Sequence, residues 1–220
     1  ILRGRDIKRY TYEWKGLWII GTFPALRLDI EQFPALKKHF LDNFDIRQLE
    51  QSGKKYPHLG FNARKKTSNK WFETQDQIAY YAEFEKEKVV WPSVGETLYC
   101  LVSAGFLVLD TNYFTTSLGI YHIGLLNSCL IRSYINSVDT KLGESVYRHY
   151  KYNFERIPIP PITPENQPLV VQIEALVDEI LARKRGNPNA DTRELERAID
   201  DLVYRLYDLT PDEIRLVEGG

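Results

Sequence analysis

Five prolines within RIPIPPITPENQP, residues 156–168, set the strongest limit on how this chain can fold. Each proline lacks a backbone N–H and holds φ at about −65°, so the run suits neither a regular helix nor a central strand. It is expected to be an extended connector, and the apolar pattern differs on its two sides. Before it, short apolar and aromatic runs bounded by Gly, Pro, Asn and Asp read as strands: LWII (17–20), KVVWP (88–92), LYCLV (98–102), FLVLD (106–110) and YFTTS (113–117). Two segments there have helical spacing. Residues 30–44 align Phe33, Leu36, Phe40 and Leu41, and residues 119–137 align Ile123, Leu126, Leu130, Ile131 and Tyr134.

After the connector the pattern is helical throughout. Leu169, Ile173, Leu176 and Ile180, then Leu195, Ile199, Leu202 and Leu206, follow the 4-3-4 spacing of a helical hairpin with one seam. Asp191 or Thr192 is positioned to cap the second helix, and Thr210-Pro211-Asp212-Glu213 begins a short third one. The expected architecture is α+β (mixed α/β): a domain over 1–160 built on a mixed or mostly antiparallel sheet, then a helical segment over 161–220.

The most apolar stretch, 98–109, is interrupted by Ser103 and Gly105 and is far shorter than the roughly 20 residues that span a bilayer, so no membrane partner is expected. Cys100 and Cys129 lie in apolar surroundings and are expected to be buried free thiols, which fits a reducing cytoplasm. The chain starts at Ile1, and ILRGRDIKRY lacks the core of a signal peptide, so a domain of a longer protein is expected. Gly-rich phosphate loops, H-E-x-x-H, paired C-x-x-C and G-x-S-x-G are all absent, and the four histidines are scattered. Glu83, Glu85 and Glu87 alternate with Phe84, Lys86 and Lys88 as a solvated face leading into a strand would. Asp6-Ile7-Lys8 has no partner carboxylate nearby, and Asn187-Pro188-Asn189 lacks the second proline and the aromatic ring of an Asn-Pro-Pro-Tyr motif. No catalytic residue, metal site or cofactor is expected in this chain.

Charge points to a partner. The formal net charge is −1, yet residues 1–70 hold fifteen basic and seven acidic residues, 71–160 seven and ten, and 161–220 seven and thirteen. Such segregation concerns partners rather than fold, and the basic end suits a polyanion. Its densest part is QSGKKYPHLGFNARKKTSNKWF (51–72), where Lys54, Lys55, Arg64, Lys65, Lys66 and Lys70 occur without any Asp or Glu. Asn62, Thr67, Ser68 and Asn69 add short polar groups able to reach base edges. The same composition also suits a solvated loop whose Trp71 and Phe72 turn inward. A second cluster, Arg3, Arg5, Lys8 and Arg9, favours the nucleic-acid reading, since Arg3 and Arg5 flank Gly4, where a backbone can be approached closely.

LRGRDIKRY, RKKTSNKWFETQD, KVVWPSV (88–94), FLVLDTNYFTTS (106–117), LLNSCLIRSYIN (125–136) and YNFERIPIP (152–160) follow one another through 1–160. Together they resemble the TaqI-like C-terminal specificity domain, the target recognition domain of adenine-specific DNA methyltransferases and of type IIG restriction-modification enzymes. The helical tail is similar to the segment that often follows it. The resemblance implies a prokaryotic, cytoplasmic phage-defence module that selects a sequence in double-stranded DNA. It also implies a separate N-terminal methyltransferase domain as partner, which binds S-adenosylmethionine and methylates a flipped adenine. On this reading Lys54, Lys55, Lys65, Lys66 and Lys70 neutralise phosphates, Arg64, Asn62 and Asn69 meet base edges, and Arg3, Arg5, Lys8 and Arg9 form a second DNA-binding cluster. KWFE (70–73) is then the return into the core. Two other classes compete: a protein-interaction module docking through its helical hairpin, and a single-stranded RNA-binding module using exposed aromatics.

Overall fold

The computed structural model describes residues 1–219. The chain forms two units: Ile1–Trp18 folds with the chain from Glu83 onward, and Ile19–Ala82 folds as a unit of its own between them. Strands, in chain order, are β1 (Ile7–Lys8), β2 (Thr11–Tyr12), β3 (Lys55–Tyr56), β4 (Phe61–Asn62), β5 (Lys88–Pro92), β6 (Val94–Gly95), β7 (Cys100–Val102), β8 (Asn112–Thr115), β9 (Thr140–Lys141) and β10 (Tyr147–Arg148). Helices are α1 (Pro34–Asn43), α2 (Ile46–Leu49), α3 (Ile120–Asn127), α4 (Cys129–Val138), α5 (Lys151–Phe154), α6 (Gln167–Gly186), α7 (Arg193–Leu206) and α8 (Pro211–Glu218). Every sheet among the described residues is small and antiparallel, so the fold is α+β.

In the first unit KVVWP becomes the central strand of the sheet β7-β5-β8, with Val90 opposite both Cys100 and Phe114. All five of its residues are buried because alternating side chains serve two cores. Val90 joins Leu2, Ile7, Cys100 and Val102, whereas Val89 and Trp91 face the helices together with Tyr99. Trp91 stacks on Phe154 with ring centroids 4.0 Å apart. Lys88 is the exception in composition: its buried Nζ donates to Phe84 O (3.0 Å) and Ser103 O (3.2 Å), and desolvation lowers its pKa.

Two expected strands do not form. FLVLD contributes only a parallel bridge, because its partner is a single residue: Leu2 N donates to Leu107 O and Leu2 O accepts from Leu109 N. LWII joins no ladder, and Trp18 is 84% exposed. The expected helix over 119–137 is two helices, since Ser128 adopts an extended conformation and caps α4 by accepting from Ile131 N. Just before that break, buried Asn127 mimics a strand, accepting from Tyr99 N and donating to Tyr99 O.

The connector is extended, and α6 begins within it at Gln167 with Pro168 in the first turn, where a missing N–H costs nothing. Thr210 and Glu213 form the capping box of α8. At the start of α7, Asp191 accepts from Arg193 N while Thr192 Oγ1 bonds Glu196. The buried stripe is wider than the expected seam. Val170, Ile173, Val177 and Ile180 of α6 and Ile199, Leu202 and Val203 of α7 are buried, and Leu169, Leu176, Leu195 and Leu206 are partly buried around them. The reason is that α6 packs on α3 as well as on α7. Gly124 of α3 permits the approach, since a Cβ there would stand 2.6 Å from Ile173 Cγ2. The seam read as a partner-docking stripe is therefore a core of the first unit. Arg9 pairs with Glu196 (2.7 Å), Asp200 accepts from Cys129 N (2.7 Å), and Tyr207 Oη donates to Pro158 O (2.8 Å), tying the tail down.

The second unit has a sparse core in which Phe23, Ile30, Ala63 and Phe72 are buried. The helical pattern of 30–44 becomes a 3-10 turn (Ile30–Gln32) followed by α1, with Phe33 and Leu41 left exposed. Much of this unit is held by polar groups, including buried Gln51 and Glu73. Cys100 and Cys129 are free thiols, and no helix among the described residues is long and apolar enough to cross a membrane.

Candidate nucleic-acid interface

The acid-free window folds into a hairpin on a rigid foot. Lys55 pairs with Asn62 and Tyr56 with Phe61 in β3–β4, and a 3-10 turn at Pro57–Leu59 closes the tip. Gly60 ends that turn at φ +76°, a left-handed conformation that glycine adopts without strain. Below the strands, Ala63 N donates to Lys54 O and Gly53 N to Arg64 O, both at 2.9 Å. Arg64 is the centre of the foot. Its Nε and Nη2 donate to Leu49 O, Nη2 also to Trp71 O (2.6 Å), and Nη1 to Glu73 O (2.8 Å). Burial lowers the pKa of its guanidinium.

The structure engages Arg64, expected at a base edge, within the protein: its guanidinium makes four hydrogen bonds to three backbone carbonyls and holds the loop. Asn69 is likewise engaged within the protein: its Nδ2 donates to Thr74 O and Gln75 O (both 2.9 Å), and its Oδ1 accepts from Gln77 Nε2 (3.1 Å). Lys70 donates to Leu28 O at 3.0 Å and lies 5.5 Å from the Phe72 ring centroid. Phe72 is buried and half-buried Trp71 packs on Phe40 and Phe72, so KWFE does return to the core. Lys54, Lys55, Asn62, Lys65 and Lys66, by contrast, are exposed, and among the described residues their side chains have no hydrogen-bond or ion-pair partner.

In the N-terminal cluster, Arg3 donates through Nε (2.9 Å) and Nη2 (2.8 Å) to Asp6, a buried carboxylate whose pKa these bonds lower. Arg9 is fastened to Glu196 and, through Nη2, to Asn127 O (2.5 Å). Both are bonded within the protein, whereas Arg5 and Lys8 are exposed and have no ion pair among the described residues. Sequence reasoning missed the surroundings of Arg5. A shallow cavity of about 390 Å³ is lined by Arg3, Gly4, Arg5, Ser93, Leu109 and Thr111, with Gly4 N donating to Thr111 Oγ1 at 3.3 Å. Ser93 and Thr111 are brought there by tertiary folding, and no local pattern marks them. The hairpin did leave a local signal, since Pro57-His58-Leu59-Gly60 between two short aromatic runs is a turn sequence.

A family model described as the TaqI-like C-terminal specificity domain matches residues 1–159. No curated protein matches the chain. Among solved structures, the type IIL restriction-modification enzyme MmeI, determined in complex with DNA, is similar with a TM-score of 0.51 and 15% sequence identity. The match covers 83% of this chain and 25% of that chain, so the present chain spans about a quarter of that enzyme's length. At this identity the likeness is one of fold.

Proposed function

The chain belongs to the TaqI-like C-terminal specificity domain family, the DNA target recognition domain of restriction-modification enzymes, and from that premise we propose that exposed cations in each of its units contact DNA phosphates. The observation carrying this is a contrast within the second unit. Lys37, Lys38 and Arg47 pair with Glu31, Asp42 and Asp45, whereas Lys54, Lys65 and Lys66 stand exposed with no ion-pair partner among the described residues. Unpaired surface lysines carry a standing cost of mutual repulsion that phosphate binding relieves, with release of counterions. In the first unit Arg5 and Lys8 take the corresponding role. The parent protein is, on this proposal, a cytoplasmic S-adenosylmethionine-dependent adenine-specific DNA methyltransferase of the type IIG kind acting in phage defence. A separate domain holds the cofactor and the chemistry, while this chain selects the sequence.

Fluorescence anisotropy with a pool of duplex DNA across a salt series tests the phosphate contacts. Binding should weaken steeply with salt, and Lys65→Ala with Lys66→Ala should lower the log–log slope by about 1.8, since each phosphate contact contributes about 0.9. The same pair should weaken binding to every duplex alike. A slope unchanged by the double substitution would remove these lysines from the interface.

A further inference from the structure

Resting on that DNA-binding reading, we propose that the β3–β4 hairpin is a groove-reading arm in which Asn62 and Lys55 meet base edges. Strand alternation places Lys55 and Asn62 directly opposite each other on one face, while Tyr56 and Phe61 share the other, 5.8 Å apart between ring centroids. The aromatic pair is half-buried; the polar pair is exposed to solvent. Two strands about 4.8 Å apart with their side chains match the roughly 12 Å width of the DNA major groove, which admits a two-stranded ribbon.

The chemistry of the two side chains fits that placement. A carboxamide offers a donor and an acceptor together and can bond adenine N6 and N7 at once, and an ammonium suits guanine O6 and N7. Neither group has a hydrogen-bond or ion-pair partner among the described residues, unlike Arg64 and Asn69, whose polar atoms already bond the scaffold. A reader must also be held still, and the foot does this. Arg64 fixes Leu49, Trp71 and Glu73, while Gln51 Nε2 donates to Glu73 O (2.8 Å) and Gln51 Oε1 accepts from Thr67 Oγ1 (2.6 Å). Beyond this foot the tip is open: a Cβ on Gly60 would meet nothing within 4 Å. Flanking Lys54, Lys65 and Lys66 lie outside the paired strands, where they can follow the phosphates on either side.

The test begins by selecting duplexes from a random pool with the full chain. Affinity is then measured for the selected duplex and for a scrambled one, using the unsubstituted protein, Asn62→Ala, Lys55→Ala and the Lys65→Ala/Lys66→Ala pair. Because the Asn62 and Lys55 side chains are exposed and unbonded, these variants keep the fold. Asn62→Ala is expected to reduce discrimination between the duplexes by about 5- to 150-fold, the range of one bidentate base contact, with binding to the scrambled duplex unchanged. Replacing adenines of the selected site by 7-deazaadenine, which lacks N7, should weaken binding of the unsubstituted chain but not of Asn62→Ala. If Asn62→Ala and Lys55→Ala leave discrimination intact while the lysine pair still weakens all binding, the arm is not the reader although the DNA reading stands. If no sequence is enriched and no salt-dependent binding exists for any duplex, the DNA reading fails and the inference with it.

Discussion

Replacing Arg64 by Ala separates a scaffold role from a reading role, because the two predict losses in different measurements. In the structure its guanidinium serves three carbonyls, those of Leu49, Trp71 and Glu73. Glu73 O retains Gln51 Nε2 at 2.8 Å after the substitution, so the damage falls on Leu49 O and Trp71 O. Leaving a buried acceptor unsatisfied costs about 1–3 kcal/mol, and at this half-buried site water can replace part of each lost bond. The net loss should be about 2–3 kcal/mol, a large share of the stability of a unit this small. Hydrogen exchange of the amides of Gly53, Ala63 and Thr67, which bond Arg64 O, Lys54 O and Gln51 O, reads this loss locally. Protection there should fall by about 30- to 150-fold, since each 1.4 kcal/mol is a factor of ten. Lys in place of Arg should recover only part of it, because an ammonium is a point donor without the fork that spans three acceptors. Protection unchanged within a factor of two, together with lost sequence discrimination, would refute the scaffold role and return Arg64 to the DNA.

Two further perturbations probe the first unit. Gly124→Ala puts a methyl group 2.6 Å from Ile173 Cγ2 and 3.0 Å from Val177 Cγ2. The clash should cost about 1–3 kcal/mol and lower Tm by about 2–10 °C, and Ile173→Ala in the same chain should cost less than it does alone. Lys88 has a lowered folded-state pKa because it is buried, so between that value and the ordinary 10.5 the unfolded chain binds more protons than the folded one. Stability should therefore rise with pH across this window, and the rise in urea midpoint should be absent in Lys88→Met.

The parts of the fold legible in sequence are those whose signal is local. KVVWP, LYCLV and YFTTS become strands because their apolar residues have a core on the faces their alternation predicts, and the 4-3-4 spacing finds α6 and α7. FLVLD carries an equal apolar signal but pairs with Leu2, more than a hundred residues earlier, and a run of residues does not name its partner. Helical periodicity continues through 119–137 although the backbone breaks at Ser128, because a cap needs only one residue to leave the helix. The separate unit at Ile19–Ala82 has no proline-rich border, unlike the conspicuous connector at 156–168, across which the helices pack back on the domain before it.

The candidate site divides along a chemical line that composition hides. An acid-free window in sequence does not reveal the backbone carbonyls that folding brings near it, and arginine and lysine differ in how readily carbonyls capture them. Arginine's five donors lie in a plane on a weakly hydrated group, so one side chain can bridge several acceptors; a lysine head is compact and keeps its water. Arg3, Arg9 and Arg64 are accordingly bound within the protein, to Asp6, to Glu196 and Asn127 O, and to three carbonyls. Lys8, Lys54, Lys55, Lys65 and Lys66 remain in solvent. Arg5 and Lys70 reverse the pattern, and each has a local reason. Arg5 follows Gly4 at the rim of an open cavity, and Lys70, two residues before the buried Phe72, lies where its Nζ reaches Leu28 O. Charge alone therefore locates the basic segment, while the number and geometry of each residue's donors decide whether it faces the protein or the solvent.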